Sequence, residues 1–125
     1  MTKSIIQTPK VFPPEGAYSN GTIGGGFIFV AGQVGVDLKG EVKVGIAKET
    51  RQALNNVKTI IEAAGSSLEN VMRVGVYLRD MNDFDEMDKI YRTFFPQNPP
   101  ARTTVQAPIA DKRCIIEIDA VALHG

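Results

Sequence analysis

Arg102 is a candidate binding group because of what comes before it in the sequence. It is the first charged side chain after Pro99-Pro100 and Ala101. Proline fixes its own φ angle, so the arginine starts from a defined backbone position. A guanidinium held in this way presents a planar fork that matches both oxygens of a carboxylate. Arg102 is therefore a candidate anion clamp, although on spacing alone a surface arginine at a strand end is the commoner case.

Glu117 is a candidate acid–base group. It lies with Asp119 on one side of the apolar run that begins at Cys114, where Ile115 and Val121 are its neighbours. Apolar neighbours remove water from a carboxyl group, which raises its pKa toward neutrality and suits it to exchange protons with water or substrate. The alternative is that this side of the run is polar and solvated, with both acids as ordinary surface charges.

The other reactive side chains have simpler interpretations. Cys114 begins an apolar strand, where a free thiol usually fills core space, and His124 is next to the C-terminus, where chains are commonly mobile. Gly24-Gly25-Gly26 precedes a strand and not a helix, so it lacks phosphate-loop geometry and is interpreted as a flexible turn. With one cysteine and one histidine in the chain, a soft-ligand metal site is improbable and we expect no metal site, although an oxygen-only site stays formally open.

Composition limits the classes of function. The 125 residues, 43% hydrophobic and 22% charged, predict a single domain over residues 1–125. Fourteen basic residues offset fourteen acidic ones, so no excess positive charge favours nucleic acid. No stretch has the length of a signal peptide's apolar core or of a membrane span, and one cysteine allows no intrachain disulfide. We therefore expect a cytoplasmic protein without a nucleic-acid or membrane partner.

The elements that must position these groups follow the order ββαβαββ. Short apolar or alternating runs predict strands at 4–7, 27–31, 71–78, 101–106 and 114–123, and Asn20-Gly21 favours a hairpin turn. Apolar residues at helical spacing predict one helix over 46–64, ended by a left-handed Gly65. Asp83 and Glu86, spaced as a capping box, start a second helix that Pro96 stops.

Two helices can cover only one face of a sheet of about five or six strands. In the run 27–31 every residue is apolar, with Phe27 and Phe29 opposite Ile28 and Val30, which predicts a strand buried on both faces. We therefore expect other copies of the chain to cover the second face, unless a loop covers it or those residues stay partly exposed.

The chain resembles the YjgF/RidA family over nearly its whole length. The similarity is carried by several blocks in the family's order and not by one short motif. These blocks lie at 16–19 (Gly-Ala-Tyr-Ser), 29–34, 52–56, 63–71, 77–84, 91–95, 100–102 (Pro-Ala-Arg) and 116–122 (Ile-Glu-Ile-Asp-Ala-Val-Ala).

The resemblance implies an α+β, chorismate-mutase-like fold, a mixed sheet of about six strands with two helices on one face, assembled as a homotrimer with a cleft at each subunit interface. Family members with the arginine are 2-iminoacid deaminases. They hydrolyse reactive enamines and imines, such as 2-iminobutanoate and 2-iminopropanoate (2-aminoacrylate), to 2-keto acids and ammonia. The resemblance implies no metal and no organic cofactor.

The family's site residues can be carried over by position. Arg102 would hold the substrate carboxylate, and Glu117 would position or activate the attacking water. Tyr18 and Gly32 would line the cleft, while backbone groups near Gly32 and Thr104 would offer hydrogen bonds. Two positions depart from the family's pattern, because this chain has Ala17 where a proline is usual and Thr104 where a cysteine is frequent.

Two alternative functions stay open at this point. The cleft could bind small carboxylates or keto acids without catalysis, which needs the arginine but no base. The chain could instead act on RNA or as a chaperone, as has been ascribed to the family. Neutral net charge and the lack of a basic-aromatic stripe disfavour RNA.

Overall fold

The computed structural model describes residues 2–125 and shows a six-stranded mixed sheet with two α-helices. In chain order the elements are β1 (Ser4–Ile6), β2 (Gly21–Gly24), β3 (Phe27–Val34), α1 (Ile46–Ala63), β4 (Val71–Leu78), α2 (Phe84–Phe94), β5 (Ala101–Gln106) and β6 (Ile116–Leu123). The sheet order is β1-β2-β3-β6-β4-β5, and the β4–β5 pair is its parallel one. Because two sequential strands run parallel, α2 serves as the crossover between them.

Alternation along the strands separates the sheet into a covered face and an open face. On β6, Ile116, Ile118, Ala120 and Ala122 are buried beneath the helices and pack in one core with Leu54 of α1. Burying one such aliphatic side chain contributes about 1.5–3 kcal/mol. This core fixes which face of every strand points toward the helices, and with it the direction of the candidate site residues that lie on strands.

The open face carries exposed apolar side chains. Phe27 and Phe29 are 39% and 48% exposed, whereas Ile28 between them is fully buried. The prediction of a strand buried on both faces is therefore wrong for the single chain, because no helix reaches this side of β3 among the described residues. Ile5, Val105 and Leu123 add to the same apolar surface.

The β2–β3 hairpin turns at Gly25-Gly26, so the turn predicted at Asn20-Gly21 is misplaced. Both glycines have positive φ, +60° and +84°, which is the conformation that a two-residue hairpin turn requires. Asn20 instead precedes β2 and is buried, where its side chain accepts from the Thr8 amide. The glycine run is thus a defined turn, and strand β2 was absent from the predicted order.

The predicted cap at the end of α1 is correct, whereas the cap predicted at the start of α2 is formed by a different residue. Gly65 takes φ +81° after α1, and its amide donates to the Glu62 carbonyl as predicted for a left-handed cap. The capping box before α2 is not formed, because the Asp83 side chain makes no cap bond. Asp80 accepts from the Asn82 amide instead and starts a 3-10 turn, Met81–Asp83.

Strand β6 begins at Ile116, two residues later than predicted. The backbone at Cys114 and Ile115 is bound by side chains from other elements. Arg79 donates to the Cys114 carbonyl from Nε at 3.0 Å, and Glu49 accepts from the Ile115 amide at 3.0 Å. These bonds satisfy the backbone groups outside the strand ladder.

Candidate active site

A cleft of about 1080 Å³ opens beside the bulged end of β3. Three of the predicted site residues line it together: Tyr18 from the loop before β2, Gly32 from β3 and Glu117 from β6. Tyr18 is 52% exposed, so its ring is available to a ligand. The fold therefore brings the predicted base and two predicted lining residues to one place within a single chain.

Gly32 makes room for the Glu117 carboxyl group. A Cβ atom built on Gly32 would overlap the Glu117 carboxylate. The glycine lies where the β3–β6 register shifts, between Val30 and Gln33, and such bulges redirect side chains near functional sites. A glycine inside a strand pattern is a recognisable signal for close approach, although the sequence did not say what would approach it.

Burial raises the pKa of the half-buried Glu117 carboxyl above its usual value, and the nearby Asp119 charge adds to the rise. Both causes disfavour the ionised form, the first by removing water and the second by like-charge repulsion. Of the two interpretations left open for this side of β6, partial burial is the one observed. The shift brings Glu117 closer to the range in which a carboxyl group exchanges protons near neutral pH.

Asp119 sits in a polar cluster that sequence reasoning missed. Its carboxylate accepts from the Tyr77 hydroxyl at 2.9 Å and from the Gly75 amide at 3.1 Å. Arg73 lies 3.9 Å away and is half-exposed. The alternation of β4 predicts Arg73, Gly75 and Tyr77 on one side, but only the β4–β6 register brings them to Asp119.

The rim of the cleft carries basic side chains that were also not predicted. Lys39, Lys112 and Arg113 line it from two loops. Arg113 is engaged, because it pairs with Asp111 at 2.8 Å and donates to the Gly40 carbonyl. Lys39 lies in a different loop from Lys112 and Arg113, so no sequence spacing indicates that these side chains meet.

Arg102 lies outside this cleft. Its Cα partner on β4 is Val74, whose side chain is buried beneath the helices. Glu117 pairs with Tyr77 on the other face of the sheet. Within one chain the structure therefore does not bring Arg102 and Glu117 together, and Thr104, two residues beyond Arg102, shares the helix side.

Arg102 is nonetheless tightly held. Its Nη1 donates to Asp88 Oδ1 at 2.7 Å, and its guanidinium carbon lies 4.6 Å from the Tyr91 ring centroid and 5.3 Å from that of Phe84. Aromatic faces attract a guanidinium over such distances. The side chain is only 20% exposed, so the alternative of an ordinary solvated surface arginine does not describe it.

Cys114 and His124 match their simpler interpretations. Cys114 is fully buried, and burial raises its pKa to about 11, which leaves it a thiol. His124 is exposed at the end of the chain. Residues 2–125 contain no cluster of His, Cys, Asp or Glu arranged to hold a metal ion, and the helices among them are too short or too polar to cross a bilayer.

Comparison with known proteins now identifies the family. The sequence model described as endoribonuclease L-PSP matches residues 8–124, nearly the whole chain. The chain belongs to the YjgF/RidA family. A RutC family protein of Pyrococcus horikoshii is 45% identical over 122 residues, covering 96% of this chain and 97% of that protein. The 2-iminobutanoate/2-iminopropanoate deaminase of Rattus norvegicus is 39% identical, covering 98% and 91%.

Solved structures of the family have the same fold. The E. coli YjgF gene product superposes with a TM-score of 0.91 at 36% identity, covering 98% of this chain and 99% of that one. E. coli TdcF, solved with bound serine, superposes with a TM-score of 0.92 at 32% identity and with the same coverage of both chains. The α+β fold with a six-stranded mixed sheet and two helices, predicted from the resemblance, is thereby confirmed, and the RidA family includes proteins named as 2-imino acid deaminases.

Proposed function

We propose that this YjgF/RidA protein hydrolyses small 2-imino acids and their enamine tautomers to 2-keto acids and ammonia. The observation that carries the proposal is the position of Glu117, a half-buried carboxyl group with a raised pKa, set against Gly32 in an open cleft. Support also comes from the family, in which the rat and human relatives named 2-iminobutanoate/2-iminopropanoate deaminase are 39% and 38% identical to this chain.

In the proposed reaction Glu117 acts as a general base. It takes a proton from water as the oxygen attacks the C=N carbon, and that proton then goes to the amino group of the resulting carbinolamine. Ammonia leaves as the C–N bond breaks, while the hydroxyl group becomes the C=O of the keto acid and returns its remaining proton to Glu117, which releases it to solvent. The protonated C=N carbon is already electrophilic, so the step needs neither a metal nor an organic cofactor. General-base assistance of this kind contributes about 10²–10⁴-fold in rate.

The proposed carboxylate clamp is Arg102 of a second chain. Arg102 and Glu117 face opposite sides of one sheet, so a shared site needs two copies. The exposed apolar face around Phe29 favours such an assembly. We therefore propose a homotrimer with a site at each interface, where Tyr18 and Gly32 line the cleft and Thr104 offers backbone hydrogen bonds. The cytoplasm stays the proposed location.

The clamp would contribute through charge-assisted hydrogen bonds to the substrate carboxylate. Each such bond contributes on the order of 1.5–3 kcal/mol, and fixing the carboxylate also fixes the reacting carbon beside the water. By that estimate, losing Arg102 costs roughly ten- to several-thousand-fold in efficiency. Binding of the carboxylate and activation of the water are thus assigned to two different chains.

A coupled assay tests the proposal. A dehydratase generates the imine from serine or threonine, and the appearance of keto acid and ammonia is timed with and without this protein. We expect faster product formation that is lost in Arg102→Ala and kept in Arg51→Ala, since Arg51 is exposed on α1. Arg102-dependent ligand binding with no acceleration by the unmutated protein would instead support a carboxylate-binding module and overturn the enzymatic proposal.

A further inference from the structure

The side chain that holds Arg102 is itself held in place. Asp88 on α2 accepts from Arg102 Nη1 through Oδ1 at 2.7 Å and from Arg92 Nε through Oδ2 at 2.9 Å. The Asp88 and Arg102 side chains are 17% and 20% exposed, whereas Arg92 is 77% exposed. Both carboxylate oxygens of Asp88 are therefore engaged. Of its two arginine partners, Arg102 is the one that is largely removed from water.

One bond at Nη1 leaves a defined part of the guanidinium available. A guanidinium can bind a carboxylate with two parallel hydrogen bonds along one edge of its fork. Among residues 2–125, Asp88 is the hydrogen-bond partner of the Arg102 guanidinium, and that bond leaves the edge formed by Nε and Nη2. The Tyr91 and Phe84 rings restrict the plane of the group, while Asp88 restricts rotation within that plane.

We propose that Asp88 is a positioning residue that turns the Nε–Nη2 edge of Arg102 toward the substrate carboxylate. The inference rests on the proposed function, because it gives Arg102 the role of carboxylate clamp. Asp88 would act through Arg102 and would not touch the substrate.

Local charge argues against the opposite role, in which Asp88 competes with the substrate. Asp88 is one negative charge shared between two positive ones, Arg92 and Arg102. The cluster as a whole keeps a net positive charge, so it still attracts a carboxylate. The bond to Arg102 also holds the pKa of Asp88 below its usual value, with Arg92 adding to the effect, so the carboxylate stays ionised at neutral pH.

Steady-state kinetics and ligand binding test this inference together. Asp88→Ala should raise KM several-fold to about 100-fold, and weaken binding of 2-oxobutanoate by a similar factor, with kcat changed by no more than a few-fold. Asp88→Asn should restore most of the affinity, since the amide oxygen can still accept from Nη1. Asp85→Ala is the matched control, an exposed acid in the first turn of the same helix.

A double variant separates positioning from general damage to the structure. If Asp88 acts through Arg102, adding Asp88→Ala to Arg102→Ala leaves KM and the 2-oxobutanoate affinity where Arg102→Ala alone puts them. Unchanged or improved affinity in Asp88→Ala, or additive losses in the double variant, would overturn the inference about Asp88. The proposed function would still stand in that case, provided that the unmutated protein is active. An unmutated protein without deaminase activity would be a failure of the proposed function itself.

Discussion

The surroundings of Glu117 and of Arg102 differ in a way that suits each group to its proposed role. Glu117 faces an open cleft beside a glycine, with a like charge nearby that raises its pKa. Arg102 is paired with Asp88 and packed against two aromatic rings. The surroundings of Glu117 favour proton exchange, whereas those of Arg102 fix the orientation of its guanidinium. Because the two face opposite sides of one sheet, the proposed base and the proposed clamp can act together only if they come from different chains.

The largest expected effect is that of replacing Glu117, the proposed base. Glu117→Gln keeps the size of the side chain but cannot accept a proton, so kcat should fall about 10²–10⁴-fold. Glu15→Gln is the control, because Glu15 also lines the cleft and is exposed. Single-turnover rates in the coupled assay measure the loss, and a Glu117→Gln variant with near-normal kcat would remove the base from the mechanism.

Separating the chains should also abolish the joint site. Phe29→Glu places a charge in the open apolar face, so the assembly should dissociate and activity should fall roughly ten- to several-thousand-fold, as expected for a cleft without its clamp. Analytical ultracentrifugation reports the assembly state. Val44→Glu is the control, because Val44 is 79% exposed in the loop before α1, outside the sheet. A fully active monomer would contradict the interface site.

At the proposed clamp, Arg102→Lys keeps the positive charge but loses the planar fork of the guanidinium. One of two charge-assisted bonds should be lost, and kcat/KM should fall about 10- to 100-fold. Arg51→Lys on α1 serves as the control. A lysine that performs as well as arginine would show that charge alone is needed and that the orientation of the fork does not matter.

Mixing the two damaged proteins sharpens the comparison. Arg102→Ala and Glu117→Gln chains, unfolded and refolded together in equal amounts, should regain roughly a quarter of the normal activity if each site joins two chains, because random assembly pairs an intact arginine with an intact glutamate at that frequency. Each variant refolded alone stays inactive. A site within one chain would regain nothing, which would exclude the interface.

The smallest effect concerns pH. The base must be ionised, so kcat/KM should rise with pH through a midpoint above the ordinary glutamic acid value, since burial and Asp119 both raise the Glu117 pKa. Asp119→Asn removes the like charge and should move that midpoint downward. Asp85→Asn, on exposed α2 surface, should leave it in place. If the midpoint does not move in Asp119→Asn, Glu117 is not the group whose ionisation sets the pH profile.

Some features of the fold follow directly from local sequence. Strands β4 and β5 were predicted at their observed bounds, since alternation and flanking turns define them. The cap at Gly65 follows from the need for positive φ. The hairpin was misplaced, because Asn20-Gly21 and Gly25-Gly26 are both good turn sequences and only the β2–β3 register selects the second.

By itself, the sequence determined the groups that could act, namely a carboxyl in an apolar run and an arginine after two prolines, together with the family and its fold. The tertiary structure decided what surrounds them: Asp88 beside Arg102, Gly32 beneath Glu117, and a sheet between the two groups. These contacts join residues far apart in the chain. Local propensity acts over a few residues, whereas strand register and helix packing are fixed by burial of the whole core.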